Sequence, residues 1–130
     1  MTKPAVQAKG GRRADLDNRY FRSKMEANFG RYLQWLKEKG EILDWSYEPR
    51  EFTFETIKRG AGRTYKPDFL VVRLDNSDYF EEVKGYLDPV SKTKLKRMAK
   101  YFPEIDVRIV DKARMREIAK WKKLIPNWED

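Results

Sequence analysis

Cysteine and histidine are both absent from the 130 residues of this chain. Together these absences exclude disulfide scaffolds, zinc fingers, Ser-His-Asp and Cys-His nucleophile systems, and nucleases that ligate metal through histidine. Any catalysis must run on carboxylates, lysine, arginine, tyrosine or hydroxyl groups. No apolar run approaches the roughly 20 residues of a membrane span, and the basic stretch Met1 to Arg13 has no apolar signal-peptide core. A soluble, cytoplasmic protein with no membrane partner is the expectation.

Lys and Arg number 29 against 21 Asp and Glu, a net charge of +8. That excess favours a polyanionic partner, an acidic substrate or nucleic acid. The length suits one domain whose core buries about two-thirds of the unfolded surface. Residues 1–20 carry Lys3, Lys9, Arg12 and Arg13 with little apolar content, and read as a flexible basic arm. Residues 21–130 read as a single α+β domain with one core.

Met25, Phe29, Tyr32, Leu33 and Leu36 recur at steps of three and four before Gly40, which predicts a helix over 22–39. Ile42 to Tyr47 and Phe52 to Ile57 read as strands, the second leading into the glycine-rich turn 58–63. Thr64 to Leu74 and Tyr79 to Lys84 form a further predicted hairpin about the turn Asp75 to Asp78. Ser91 to Tyr101 holds five basic residues and no acidic one beside the apolar stripe Leu95, Met98, Ala99, Phe102, a basic amphipathic helix. Ile105 to Val110 reads as a strand, with Asp111 capping a final helix that runs to about Lys122. The sum is a mixed, mainly antiparallel sheet flanked by helices. Phe52, Phe54, Phe69, Phe80, Trp35 and Trp121 are expected in the core, while Tyr65 and Tyr86 could stack on a ligand or touch sugar.

The sharpest pattern is Pro67-Asp68 on one strand and Glu82-Val83-Lys84 on the next. Side chains two apart on a strand share a face, so Glu82 and Lys84 project together, and hairpin pairing can bring Asp68 beside them. Two carboxylates and an ammonium then meet. That set suits phosphodiester cleavage with Mg2+, because hard oxygen donors hold the ion, which polarises phosphate and acidifies water. The Val83 carbonyl could complete the ligands. The competing reading is a solvated cross-strand ion pair of little energetic weight.

Glu26 sits at the edge of the first helix's apolar stripe, where an acidic group needs a partner. Ser23-Lys24-Met25-Glu26 also matches a capping box, in which Glu26 bonds back to the helix start. Both readings stand at this point. A nucleic-acid track is offered by three basic segments: Arg12, Arg13 and Arg22; Lys58, Arg59, Arg63 and Lys66; and Lys92, Lys94, Lys96 and Arg97.

These motifs resemble the PD-(D/E)xK nuclease superfamily, and within it the phage-type endonuclease I, a Holliday-junction-resolving family. The resemblance is carried by Phe21-Arg22-Ser23 with Glu26, Thr64 to Leu70 around Pro67-Asp68, Glu82-Val83-Lys84-Gly85, Pro103 to Val110, and Lys123-Leu124-Ile125-Pro126. It extends from Phe21 to Trp128. It implies a restriction-endonuclease-like core that cuts branched DNA with Mg2+ or Mn2+, acting as a homodimer, phage-encoded and working in a bacterial cytoplasm. By motif position, Asp68 and Glu82 would bind metal, Glu26 would help hold a metal or its water, and Lys84 would assist the nucleophile. The family's further carboxylate, on the strand after the first helix, finds Ser46 in its place and Glu48 as a displaced candidate. No small-molecule cofactor is implied. The alternatives are the same core acting on linear, flap or single-stranded DNA, and a non-catalytic basic DNA-binding protein.

Overall fold

A computed structural model describes residues 10–130. Residues 1–9, and with them Lys3 and Lys9 of the expected arm, lie outside the described residues. Eight strands and three helices follow in order: β1 (Gly11–Arg13), β2 (Arg19–Phe21), α1 (Lys24–Glu38), β3 (Asp44–Tyr47), β4 (Phe52–Thr53), β5 (Thr64–Tyr65), β6 (Phe69–Val72), β7 (Asp78–Val83), α2 (Pro89–Tyr101), β8 (Val107–Val110) and α3 (Lys112–Ala119). The chain is α+β, as its residue pattern predicts. Among the described residues no helix is long and apolar enough to cross a membrane.

The central sheet runs β3-β6-β7-β8, antiparallel except where β8 joins β7 in parallel. Strand alternation gives it two apolar faces. Phe69, Val71 and Val83 face α1 and α3, whose Phe29, Leu33, Met115 and Ile118 complete that layer. Phe80 and Leu70 face the other way, with Met98 and Leu95 of α2 and Phe52, Phe54 and Tyr65 of the β4–β5 hairpin. The single core expected from sequence is thus two layers sharing one sheet.

The helix starts are chemically specified. Ser23 Oγ accepts the Glu26 amide at 3.0 Å, Asp88 accepts the Ser91 amide at 2.7 Å beside Pro89, and Asp111 accepts the Arg114 amide at 2.8 Å. Gly40 ends α1 at φ +77°, a left-handed position where glycine carries no Cβ penalty.

Four expectations are corrected. Residues 11–21 form a hairpin that buries Leu16 and Phe21, so the basic arm does not extend to residue 20. The strand expected over 64–74 is broken at Lys66-Pro67-Asp68, because proline lacks the amide a ladder requires. The last helix stops at Ala119 and continues as turns. Trp121 is 52% exposed, stacking obliquely on Trp35 with ring centroids 6.2 Å apart.

Candidate active site

The β6–β7 register pairs Phe69 with Glu81, so the next position out sets Asp68 opposite Glu82. The Asp68 amide donates to Glu82 Oε1 at 3.3 Å, and Asp68 Oδ2 accepts the Val83 amide at 2.8 Å. The proline break frees Asp68 from the ladder while the paired strands hold it in place. Alternation sends neighbouring Glu81 to the opposite face, where Arg114 of α3 donates to it at 2.8 Å.

Asp68 and Glu82 are 1% and 8% exposed. Burial pushes the Asp68 pKa up to about 8, helped by the charges of Glu82 and Glu26 and opposed by the Val83 amide and Arg22. Burial also raises Glu82 above the usual carboxylate range, against the pull of Lys84 and a hydrogen bond from Tyr65. The Tyr65 hydroxyl donates to Glu82 Oε1 at 3.2 Å, which fixes the role the sequence left open for this tyrosine. Burial and the neighbouring Glu82 charge raise its own pKa and keep it a donor.

Glu26 reaches the same place from α1. Ser23 caps the helix as expected, but the Glu26 carboxylate does not close a capping box on Ser23. Its Oε1 accepts the Arg22 amide at 3.0 Å and the Tyr47 hydroxyl at 2.5 Å. Tyr47 lies at the end of β3, packed between Phe21 and Phe69, and its pKa is raised by burial and by Glu26. No local pattern in the sequence distinguishes it from other strand aromatics.

Arg22 joins these groups. Its guanidinium donates to Asp68 Oδ1 at 2.7 Å, Glu48 Oε2 at 2.5 Å and Glu26 Oε2 at 3.2 Å. Burial disfavours its charge, but the surrounding anions outweigh that and raise its pKa further. Glu48 adopts φ +48° and donates its amide to the Asp68 carbonyl at 2.7 Å. A left-handed non-glycine residue is a strained backbone position, held here by that amide hydrogen bond and by the Arg22 contact of the side chain. Glu48 therefore enters the cluster, and Ser46 on β3 does not.

A cleft of about 280 Å³ opens beside the cluster, lined by the acidic Glu48, Glu51 and Glu82 and by the basic Arg22, Lys66, Lys84 and Lys94. Glu82 and Lys84 thus share the opening, as their spacing predicts. Of the other expected DNA contacts, Lys58, Arg59, Arg63, Lys92 and Lys96 lie outside this cleft, all exposed. Arg12 is exposed and donates to the Asn18 carbonyl at 3.0 Å. Arg97 donates to the Gly62 carbonyl at 2.6 Å and ties the basic loop to α2. At Gly62, φ is +85° and a Cβ would meet the Arg97 guanidinium at 2.7 Å. Arg13 departs most from the expectation: it is buried, with Nε donating to Glu129 at 2.7 Å. It braces the fold instead of lying on the surface.

Among the described residues, no three carboxylates converge as a ready-made ion cage, because the Arg22 guanidinium stands between Asp68, Glu48 and Glu26. The donor chemistry nonetheless fits a hard divalent cation. Two buried carboxylates on adjacent strands repel each other, and a cation already bridges one of them to its neighbours.

A family model described as "Protein of unknown function (DUF1064)" matches residues 7–117. No curated protein and no solved structure matches the chain.

Proposed function

We propose, for a chain that belongs to the DUF1064 family of proteins of unknown function, a metal-dependent endonuclease that hydrolyses phosphodiesters of branched DNA. The observation that carries the reading is that Glu82, hydrogen-bonded by the Asp68 amide, lines one cleft together with Lys84, Lys66 and Lys94. Asp68 and Glu82 would hold Mg2+ or Mn2+, with the Val83 carbonyl and Glu26 as further oxygen donors. When bound, the ion supplies positive charge that polarises the phosphate and acidifies water.

The chain's own groups account for the remainder. Lys84 sets an ammonium beside Glu82, where it stabilises negative charge developing on the phosphate and orients the attacking water. Tyr65 holds the Glu82 carboxylate in position, and the Val83 amide does so for Asp68. Hydrolysis adds water across one P–O bond, leaving a phosphate monoester and a hydroxyl. Lys66 and Lys94 offer backbone contacts without sequence reading. The restriction-endonuclease-like assignment, the four-way junction as substrate, the homodimer and the phage origin are supported by the sequence resemblance alone.

The test separates binding from chemistry. Asp68→Ala and Lys84→Ala should bind a four-way junction within a few-fold of wild type in a gel shift, and should cut it at least 100-fold more slowly with Mg2+, the scale of losing a positioned catalytic group. Full cutting by Asp68→Ala would sink the assignment. Salt-sensitive binding with no metal-dependent cutting by the wild type would favour a non-catalytic DNA-binding protein.

A further inference from the structure

We propose that Arg22 is a tethered counter-cation that occupies the carboxylate site and is displaced when a divalent metal enters; the inference rests on the metal-dependent reading above. Three geometric facts carry it. The guanidinium bridges three separate carboxylates, Asp68 at 2.7 Å, Glu48 at 2.5 Å and Glu26 at 3.2 Å, which come from three different parts of the chain. The anions are more deeply placed than the cation: the Asp68, Glu26 and Glu48 side chains are 2%, 5% and 21% exposed, that of Arg22 55%. The Arg22 amide donates to Glu26 Oε1 at 3.0 Å while the guanidinium uses the other oxygen, Oε2, so the side chain can leave without breaking that backbone bond.

Physical necessity gives the arrangement a purpose. Asp68, Glu48 and Glu26 around the guanidinium, with Glu82 beside Asp68, would without it repel both each other and a polyanion approaching the cleft. A cation held among them relieves that repulsion until a metal arrives. A divalent ion bound at Asp68 Oδ1 competes directly with the guanidinium for the same oxygen. Two cations on one carboxylate oxygen repel each other, so the solvent-exposed monovalent one gives way to the divalent ion. Arg22 lines the cleft, and the freed side chain has open solvent to move into.

Calcium binding, followed by calorimetry at pH 9 without DNA, tests this. Arg22→Ala should bind Ca2+ at least fivefold more tightly than wild type, while Arg22→Lys, which restores a cation, should return toward wild type. In the wild-type protein the NMR signal of the Arg22 side-chain Nε–H should shift on Ca2+ addition and saturate with the affinity seen by calorimetry. That second readout decides the matter even if Arg22→Ala does not fold. Glu82→Ala serves as the control for the site itself. Wild-type binding that is lost in Glu82→Ala, combined with an Arg22 signal unmoved by Ca2+ or an Arg22→Ala affinity equal to or weaker than wild type, overturns the displacement and leaves the metal site standing. No Ca2+ binding by the wild type overturns both.

Discussion

A carboxylate as deeply buried as Asp68, with two other carboxylates close by, holds its proton far above the ordinary range. The consequence for stability has a definite sign. Burial pushes the Asp68 pKa up to about 8 in the folded protein, against about 3.9 when unfolded. Between those values the native state keeps a proton that the unfolded chain has released, so unfolding free energy falls as pH rises. Glu82, also raised, acts in the same direction. Asp15, held low by the Arg31 guanidinium, and Glu129, lowered by Arg13 and Arg31 against its own burial, contribute stability that is lost only on acidification, outside this window. Metal-free protein should therefore lose on the order of 2–4 kcal/mol between pH 5.5 and pH 8.5. Asp68→Asn should flatten most of that slope and be the more stable protein at pH 8.5. Thermal melts in EDTA check it, and parallel curves for wild type and variant would contradict it.

At the scale of elements, the C-terminal tail fastens the N-terminal hairpin to α1. Glu129 accepts from Arg13 and Arg31, both at 2.7 Å, while its backbone exchanges hydrogen bonds with the Asn28 side chain at 2.8 and 3.0 Å. Arg13 and Arg31 are each 6% exposed, and truncating Glu129 strips a charge-assisted hydrogen bond from both buried guanidinium groups, although Arg31 keeps Asp15 at 2.9 Å. Glu129→Ala should lower stability by about 3 kcal/mol in urea unfolding; a loss below about 1 kcal/mol would show that the clamp is not structural.

Such a clamp was illegible in the sequence, because it joins positions 13, 31 and 129, and nothing local marks a buried arginine. The same limit explains the β1–β2 hairpin, whose three-residue strands carry too little periodicity to register. Helix α1, by contrast, announces itself through Met25, Phe29, Leu33 and Leu36, its serine cap and Gly40. The β6–β7 hairpin is legible too, and with it the placing of Asp68 beside Glu82 and of Glu82 with Lys84, since strand alternation sets which side chains share a face, although the connection is residues 73–77 and Asp78 already belongs to β7. Tyr47 and Glu48 were harder. Their part in the cluster depends on β3 pairing with β6 across the intervening β4–β5 hairpin, a long-range contact that no spacing reveals.

At the scale of the whole molecule, one sheet carries two apolar layers, and the site lies where β6 and β7 leave the shared ladder. The net charge of +8 surrounds a local concentration of acid, an inversion that makes sense if the acid serves a cation and the remainder serves a polyanion. The most direct measurement is cleavage of an end-labelled four-way junction by the purified protein with Mg2+, beside EDTA, Glu82→Ala and an equal amount of linear duplex. Paired nicks near the branch point, abolished by EDTA and by Glu82→Ala and scarce on the duplex, are the predicted result. Equal cutting of junction and duplex would contradict the branched substrate, and Mg2+-dependent nicks that persist in Glu82→Ala would contradict the site itself.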